Sequence, residues 1–194
     1  MELILETNAQ LPNANDLLPL KVWEGLHPSC LTADEISRQC ERRAQRRSGP
    51  GGQHRNKTSS GVFLLHAPTG VVAEATERRS QAENSKIALA RMQLKLAVEI
   101  RTMSPIVGCI DSEEQGIRRH LQARAMRVAR RSPDYPALCA LLLNDFYFTG
   151  GQPSLVGQFW KTGSSGLVRF LKTHPPAIVF VNTIREHHGR LQLR

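Results

Sequence analysis

The sequence predicts an α+β fold, in which a small β-sheet carries a packed helix and is followed by a small all-α module. Two apolar runs, at 62–66 and 71–75, are joined by the segment Ala67-Pro68-Thr69-Gly70. Proline at the second turn position and glycine at the fourth are typical of a type I turn, so the two runs predict a β-hairpin. From Ser80 onward, apolar residues recur at helical spacing, which predicts a helix packed on the sheet.

The chain on either side of the hairpin predicts the other elements of the first half. Residues 1–29 show no strong periodicity, and we expect an N-terminal extension that is partly ordered at best. Residues 36–46 alternate loosely, which predicts a strand with its arginines on one side. Ser80 and Glu83 have the spacing of a capping box at the start of the helix. The predicted apolar stripe of that helix consists of Ile87, Ala90, Leu94, Ala97 and Val98.

A break at Met103-Ser104-Pro105 separates this half from a basic helical module. The predicted domains are therefore the extension at 1–29, a sheet-and-helix domain at 30–104 and the module at 105–194. Ser112 and Gln115 predict a second capping box, which opens the first helix of the module. The apolar face of that helix is predicted to be Ile117, Leu121, Ala125 and Val128. Its remaining surface is expected to carry Arg118, Arg119, Arg124, Arg127, Arg130 and Arg131.

The rest of the module reads as further helices. Residues 136–148 are apolar nearly all round, which predicts a buried helix begun at Pro136. Two shorter helices are predicted at 153–162 and 164–173, divided by Thr162-Gly163. These last two could form a helix-turn-helix that reads nucleic acid, but ordinary packing explains the same spacing and is preferred.

The segment RRSGPGGQHRNK, at residues 46–57, is the most informative part of the chain. Its glycines permit a tight backbone that can approach a ligand closely. Between residues 38 and 57 the chain has seven lysines and arginines against the single acid Glu41, which favours a polyanionic partner. Because Gln53 is neither acid nor base and no nucleophile or metal centre accompanies it, catalysis here would rest on backbone N–H groups and an amide. Hydrolysis of an ester or amide by water fits that chemistry, and a Gly-rich surface turn beside solvated arginines is the alternative.

This loop, with His54 and Asn56-Lys57-Thr58-Ser59-Ser60 after it, resembles the catalytic domain of class I peptide chain release factors. The stretch HAPTGVVAEATERRSQAENSKIAL, at 66–89, resembles the hairpin and helix start of the same domain, and the resemblance covers about 30–104. It implies that the loop enters the peptidyl transferase centre of the large ribosomal subunit and promotes hydrolysis of peptidyl-tRNA. Arg55 departs from the family, which more often has a small apolar residue there.

The resemblance also implies roles for individual residues. Gly51, Gly52 and Gln53 match the catalytic tripeptide. The Gln53 backbone N–H would stabilise the intermediate and leaving group, and its side chain would shape the water site. A dedicated glutamine methyltransferase is an implied further partner, acting on Gln53. From their charge and their position in the sequence, the residues predicted to contact RNA are Arg42, Arg43, Arg46, Arg47, Arg55, Lys57, Arg78, Arg79, Lys86, Arg124, Arg127 and Arg131.

Composition restricts the remaining possibilities. A net charge of +9 over 194 residues favours an acidic polymer as partner. The four cysteines are scattered without metal-ligand spacing, so we expect reduced, buried thiols and neither a zinc site nor a disulfide framework. No targeting signal and no membrane-spanning apolar run is recognised, so the expectation is a soluble, cytoplasmic protein without metal or cofactor. His187 and His188 have no partner ligands at metal spacing. The oligomeric state stays open.

A second GGQ, at Gly150-Gly151-Gln152, lacks the arginines and the polar run of the first and is interpreted as a helix–helix corner. The leading hypothesis is therefore ribosome-dependent, codon-independent hydrolysis of the peptidyl-tRNA ester through the first GGQ. No segment resembles a codon-reading domain, so the layout is similar to that of hydrolases that rescue stalled ribosomes. Two alternatives are a non-catalytic ribosome- or RNA-binding protein that retains the domain for docking, and a nucleic-acid-binding regulator led by the helical module.

Overall fold

The computed structural model describes residues 10–45 and 60–194, and its architecture confirms the predicted α+β class. The first half contains β1 (Val22–Trp23), α1 (Ala33–Arg38), β2 (Cys40–Gln45), β3 (Gly61–His66), β4 (Val72–Ala75), α2 (Gln81–Glu99) and β5 (Arg101–Thr102). The second half contains α3 (Ser112–Gln122), α4 (Tyr135–Phe148), α5 (Pro153–Phe159), α6 (Ser164–Lys172) and α7 (Pro175–His187). Short 3₁₀ turns lie at Ala14–Asp16, Pro28–Cys30 and Ala125–Arg127.

The predicted hairpin is confirmed, and its turn begins one residue earlier than expected. Strands β2, β3 and β4 form an antiparallel sheet in that order, and β1 pairs in parallel with β5. The N–H groups of Thr69 and Gly70 both donate to the carbonyl of His66, at 3.2 and 2.8 Å. Gly70 has φ +76°, a conformation that glycine adopts without steric cost.

A short helix stands where the sequence predicted the start of the first strand. Thr32 caps α1 in a capping box: its hydroxyl accepts from the Glu35 N–H, and its own N–H donates to the Glu35 carboxylate. The strand β2 therefore begins only at Cys40. Its two arginines do not share a side, because Arg42 lies opposite Leu64 and Arg43 opposite Phe63, and successive strand residues point to opposite faces. The prediction that the arginines face one side was wrong.

The helix α2 begins at the predicted cap, and it is buried on two sides rather than along one stripe. The Ser80 hydroxyl accepts from the Glu83 N–H at 3.3 Å. Ala88, Met92 and Leu96 pack against the sheet, together with Ile87. Leu94, Ala97 and Val98 pack against the helical module. Ala90, predicted to belong to the stripe, lies on the same side of the helix one turn before Leu94, and it is exposed because the contacts with the module begin only at Leu94.

Two cations of α2 bond to the edge strand of the sheet. Arg91 donates to the carbonyl of Glu74 at 2.8 Å, and Lys95 donates to the carbonyl of Val72 at 2.9 Å. Both carbonyls belong to β4, the last strand in the sheet order. An edge strand with unpaired backbone groups is a template for unwanted strand pairing, so these side chains protect the edge.

The helical module packs around α4, in which every residue is buried. The predicted helices at 136–148, 153–162 and 164–173 are confirmed as α4, α5 and α6, with α5 ending earlier than expected. The sequence interpretation missed α7, whose start carries Pro175 and Pro176 and whose buried residues recur at helical spacing. One apolar cluster joins Ala97 of α2 to α4–α7, so the packing continues across the boundary predicted at residue 104.

The described part of the predicted extension is more regular than expected. Residues 10–29 contain β1, one 3₁₀ turn and the start of a second, which ends at Cys30. Leu17, Leu18 and Val22 pack against a small cluster formed by α4 and α7, and the Tyr147 hydroxyl donates to the carbonyl of Leu18 at 2.7 Å. The contacts that order this segment come from residues 64 or more positions away, which explains why no local periodicity signalled them.

Candidate catalytic and RNA-binding site

The segment 46–59 connects the ends of two neighbouring strands. Gln45, the last residue of β2, pairs directly with Gly61, the first residue of β3. The predicted tripeptide therefore belongs to the connection between two hydrogen-bonded strands. The following predicted site residues lie outside the described residues: Arg46, Arg47, Gly51, Gly52, Gln53, Arg55 and Lys57. The roles assigned to them stay predictions.

Asn84 ties the end of this segment to the start of α2. Its side chain is fully buried, and Nδ2 donates to the carbonyls of Ser60 and Arg78, at 2.6 and 2.9 Å. Oδ1 accepts from the Arg78 N–H at 2.9 Å. A flipped amide would set its oxygen against two carbonyl oxygens, so the hydrogen-bonding partners determine its orientation. The sequence interpretation gave Asn84 no role, although a polar residue in the first turns of an amphipathic helix is the available signal.

Several exposed cations lie near Gln45 and Ser60, the residues that flank the segment 46–59; these flanks are called the base of the connection. Arg78 and Arg79 are exposed in the turn that Asn84 holds beside Ser60, and Lys86 is exposed in the second turn of α2. Arg42 and Arg43 are exposed two to three residues before the end of β2, which is within about 10 Å of that end along a strand. Arg43 lies 3.5 Å from the Glu41 carboxylate, in an exposed ion pair of small energetic weight. The structure thus brings these five predicted RNA-binding residues to one end of the sheet and α2.

A second group of cations lies in the helical module, but not on one helix as predicted. The helix α3 is capped by Asp111, whose carboxylate accepts from the Glu113 N–H at 2.7 Å, rather than by Ser112. It ends at Gln122, so Arg124, Arg127 and Arg131 follow it in a 3₁₀ turn and loop. All three are exposed. Arg124 pairs with Asp134 at 3.1 Å, and neither Arg127 nor Arg131 forms an ion pair with another described residue.

Arg118 was expected on the surface and is buried instead. It is 3% exposed and binds two buried carboxylates, those of Glu114 at 2.9 Å and Asp145 at 2.9 Å. Asp145 also accepts from the Ser104 hydroxyl at 2.6 Å and from the Trp160 indole N–H at 2.5 Å. Burial raises the pKa of Glu114, and the adjacent Arg118 charge opposes that rise. A buried arginine needs such partners, and Asp145 lies on α4, too far along the chain for helical periodicity to indicate the pairing.

The second GGQ forms the predicted corner between α4 and α5. Gly150 and Gly151 have φ +60° and +72°, and a Cβ on Gly151 would lie 2.4 Å from Cγ of Arg185. Gln152 is 8% exposed, and its amide donates to the carbonyls of Thr149 at 2.9 Å and Gln10 at 3.1 Å. An amide that is buried and already bonded to the backbone is not available to a substrate.

The cysteines form no disulfide, and three of them are at least partly buried as expected. Burial raises the pKa of the Cys139 thiol to about 12, so this group is inert. Cys109 is exposed, contrary to the expectation. Across residues 10–45 and 60–194, no three histidine, cysteine or acidic side chains come together as a metal site. No helix in that part of the chain is both long and apolar enough to cross a membrane.

The sequence between β2 and β3 contains the GGQ tripeptide, and comparison with known proteins identifies the class of this domain. Residues 35–129 match the family model described as the RF-1 domain. The chain therefore carries the catalytic domain of the class I peptide chain release factors. The match extends through α3, past the boundary predicted at residue 104.

Individual relatives are peptide chain release factors. The chain is 34% identical over 118 residues to peptide chain release factor 1 of Polynucleobacter asymbioticus, which covers 56% of this chain and 29% of the relative. It is 51% identical over 51 residues to peptide chain release factor 2 of Lactiplantibacillus plantarum, covering 26% and 14%. It is 42% identical over 52 residues to the mitochondrial peptide chain release factor 1-like protein of Rattus norvegicus, covering 27% and 14%. The chain thus spans less than a third of the length of these relatives.

Proposed function

We propose that this protein hydrolyses the ester between a nascent peptide and its tRNA on the ribosome, without reading a stop codon. The observation that carries the proposal is the RF-1 domain at 35–129, with Gly51-Gly52-Gln53 in the connection between β2 and β3. The relatives are named as peptide chain release factors, and release of a peptide from tRNA is the chemistry of that family.

The proposed chemistry uses water as the nucleophile. Attack on the ester carbonyl gives a tetrahedral intermediate with a developing oxyanion, which a preorganised N–H donor stabilises. The Gln53 N–H is the proposed donor, and the two glycines before it allow the close backbone approach that this requires. Because the tripeptide has no general base of its own, the peptidyl transferase centre of the large subunit must orient ester and water. A glutamine methyltransferase that modifies Gln53 is part of the same proposal.

The cations at the base of the connection support ribosomal RNA as the docking partner. Arg78, Arg79 and Lys86 are exposed beside the end of the connection, and Arg42 and Arg43 are exposed on the strand that leads into it. Phosphate contacts of this kind position a protein without reading sequence and weaken as salt increases. The exposed Arg124, Arg127 and Arg131 of the module are a second proposed contact with RNA phosphates.

Codon independence is proposed from the module that accompanies the domain. Residues 130–194 lie outside the family match and form helices that pack against the back of α2. A stalled ribosome whose mRNA offers no stop codon is the proposed substrate, and the cytoplasm is the proposed location.

The decisive experiment is peptide release from ribosomes stalled on an mRNA that ends without a stop codon. The proposal expects release at a rate that falls strongly in Gly52→Ala, and it expects free peptidyl-tRNA to be a poor substrate. Ribosome binding without release would favour the alternative of a docking protein that is not catalytic. Release only when a stop codon occupies the decoding site would overturn codon independence and leave the hydrolysis intact.

A further inference from the structure

We propose that Asn84 is a positioning residue for the hydrolysis proposed above: it fixes Ser60, where the chain re-enters the sheet, against the turn at Arg78. The inference rests on the proposed function, and it concerns residues that the structure describes. Its basis is one buried amide that joins two backbone segments 18 residues apart through hydrogen bonds to Ser60 and Arg78.

Two contacts hold the residues that flank the segment 46–59. Gln45 and Gly61 are paired in the β2–β3 ladder, which fixes both flanks at the sheet. On the returning flank, Ser60 precedes the ladder, and its carbonyl also accepts from the Asn84 side chain at 2.6 Å. This additional contact depends on the identity of a single residue.

Asn84 links the start of α2 to Ser60. Its own N–H donates to the carbonyl of the cap residue Ser80 at 3.1 Å, so its backbone is part of the first turn of α2. The same side chain bonds both backbone groups of Arg78. Ser60, the Arg78–Arg79 turn and the start of α2 are thus held in one frame. An RNA phosphate bound by those arginines would be held at a fixed distance from the returning chain.

This geometry assigns Asn84 an effect on turnover rather than on docking. A displacement of about 1 Å at a catalytic group can reduce a rate about 100-fold. Loss of the Asn84 donors would free Ser60 without changing any exposed cation. The maximal rate of release should therefore fall, whereas the affinity for the ribosome should change little.

The test is Asn84→Asp, compared with a control on the same face of α2. Asp keeps the size of the side chain and the acceptor for the Arg78 N–H but loses both donors, and Asn84→Ala repeats the test without a new charge. Ala88→Gly, one turn further along, is the control because Ala88 is fully buried against the sheet and belongs to the apolar core there. In the stalled-ribosome assay, kcat should fall about 10- to 100-fold in Asn84→Asp and Asn84→Ala with KM within about threefold. Ala88→Gly also lowers thermal stability, because glycine destabilises a helix interior. At a loss of stability equal to that of the Asn84 variants, its kcat should stay within about twofold of the wild-type value.

A second measurement on the free protein separates this inference from the proposed function. Hydrogen exchange at Ser60 and Gly61, where the chain enters β3, should accelerate about tenfold or more in the two Asn84 variants and not in Ala88→Gly. Equal kcat losses in the Asn84 and Ala88 variants, or unchanged exchange in the Asn84 variants, would overturn the positioning role. If the wild type itself releases no peptide, the proposed function fails, and faster exchange in the Asn84 variants would then show only that Asn84 anchors the segment. A fall in kcat accompanied by a matching rise in KM would assign Asn84 to docking and also count against the inference.

Discussion

Replacing Arg118 by leucine should cost more stability than replacing any of the exposed arginines of the helical module. Arg118 is the cation between Glu114 and Asp145, which are 1% and 0% exposed. Arg118→Leu leaves two buried carboxylates without a counter-charge, and removal of one partner from a buried ion pair typically costs about 3–5 kcal/mol. At roughly 2–4 °C per kcal/mol for a chain of this size, the melting temperature should fall by roughly 6–20 °C.

The assay is urea unfolding followed by tryptophan fluorescence, since the Trp160 indole donates to Asp145. The matched control is Arg119→Leu, because Arg119 is the exposed neighbour on the same helix and its loss should change stability by less than about 0.5 kcal/mol. Adding Glu114→Gln to Arg118→Leu should recover part of the loss, since one fewer unpaired carboxylate is then buried. A decrease of less than about 1 kcal/mol in the free energy of unfolding of Arg118→Leu would refute the reasoning, because two buried carboxylates without a counter-charge should destabilise the protein by more than that.

The same variant has a predicted pH dependence. Burial already raises the pKa of Glu114 in the wild type, against the opposing Arg118 charge. Without Arg118 the pKa of Glu114 rises further, so the native state binds more protons than the unfolded state. Stability of the variant then increases as the pH falls, and its deficit relative to the wild type should narrow between about pH 8 and about pH 5. A deficit that widens towards acid pH would contradict this sign.

Three further predictions address the two GGQ sequences and the module. Gly52→Ala should reduce peptide release about 100-fold or more with ribosome binding retained. Gln53→Ala should reduce release less, because the backbone N–H of residue 53 remains. Release at the wild-type rate by Gly52→Ala would exclude this tripeptide as the catalytic element. The double variant Arg127→Glu, Arg131→Glu should stay folded, bind the ribosome more weakly and show a weaker dependence of binding affinity on salt concentration. If that dependence is unchanged, the RNA contact is assigned instead to the cations at the base of the connection. Gln152→Ala should lower stability by about 1 kcal/mol and leave release unchanged; lost release at retained stability would give the second GGQ a role.

Local signals predicted the parts of the fold that depend on neighbours in the sequence. The hairpin followed from Pro68 and Gly70 between two apolar runs, and the start of α2 followed from Ser80. The all-round apolar segment likewise predicted α4, which is entirely buried. A capping box at Thr32 and Glu35 was also present in the sequence, so α1 was predictable by the same rule although it was missed.

The features that the sequence could not indicate are those set by distant contacts. An arginine at position 118 has the spacing of a solvated helix face, and only Asp145, on another helix, makes it a buried residue. Asn84 appears as an ordinary helical residue until Ser60 and Arg78 are brought beside it. The proposed catalytic tripeptide was predicted by resemblance, and the family match to 35–129 confirms only the domain in which it lies.

Because α2 is buried between the sheet and the helical module, the two halves of the chain share one continuous packing interface. Leu94, Ala97 and Val98 face α4 and its neighbours, so a chain that ended after β5 would present this apolar surface to water. Exposed apolar surface of this kind promotes self-association. A chimeric protein that contains the sheet and its GGQ connection would therefore also need the helical module, or another apolar surface that covers this face of α2 as α4 does.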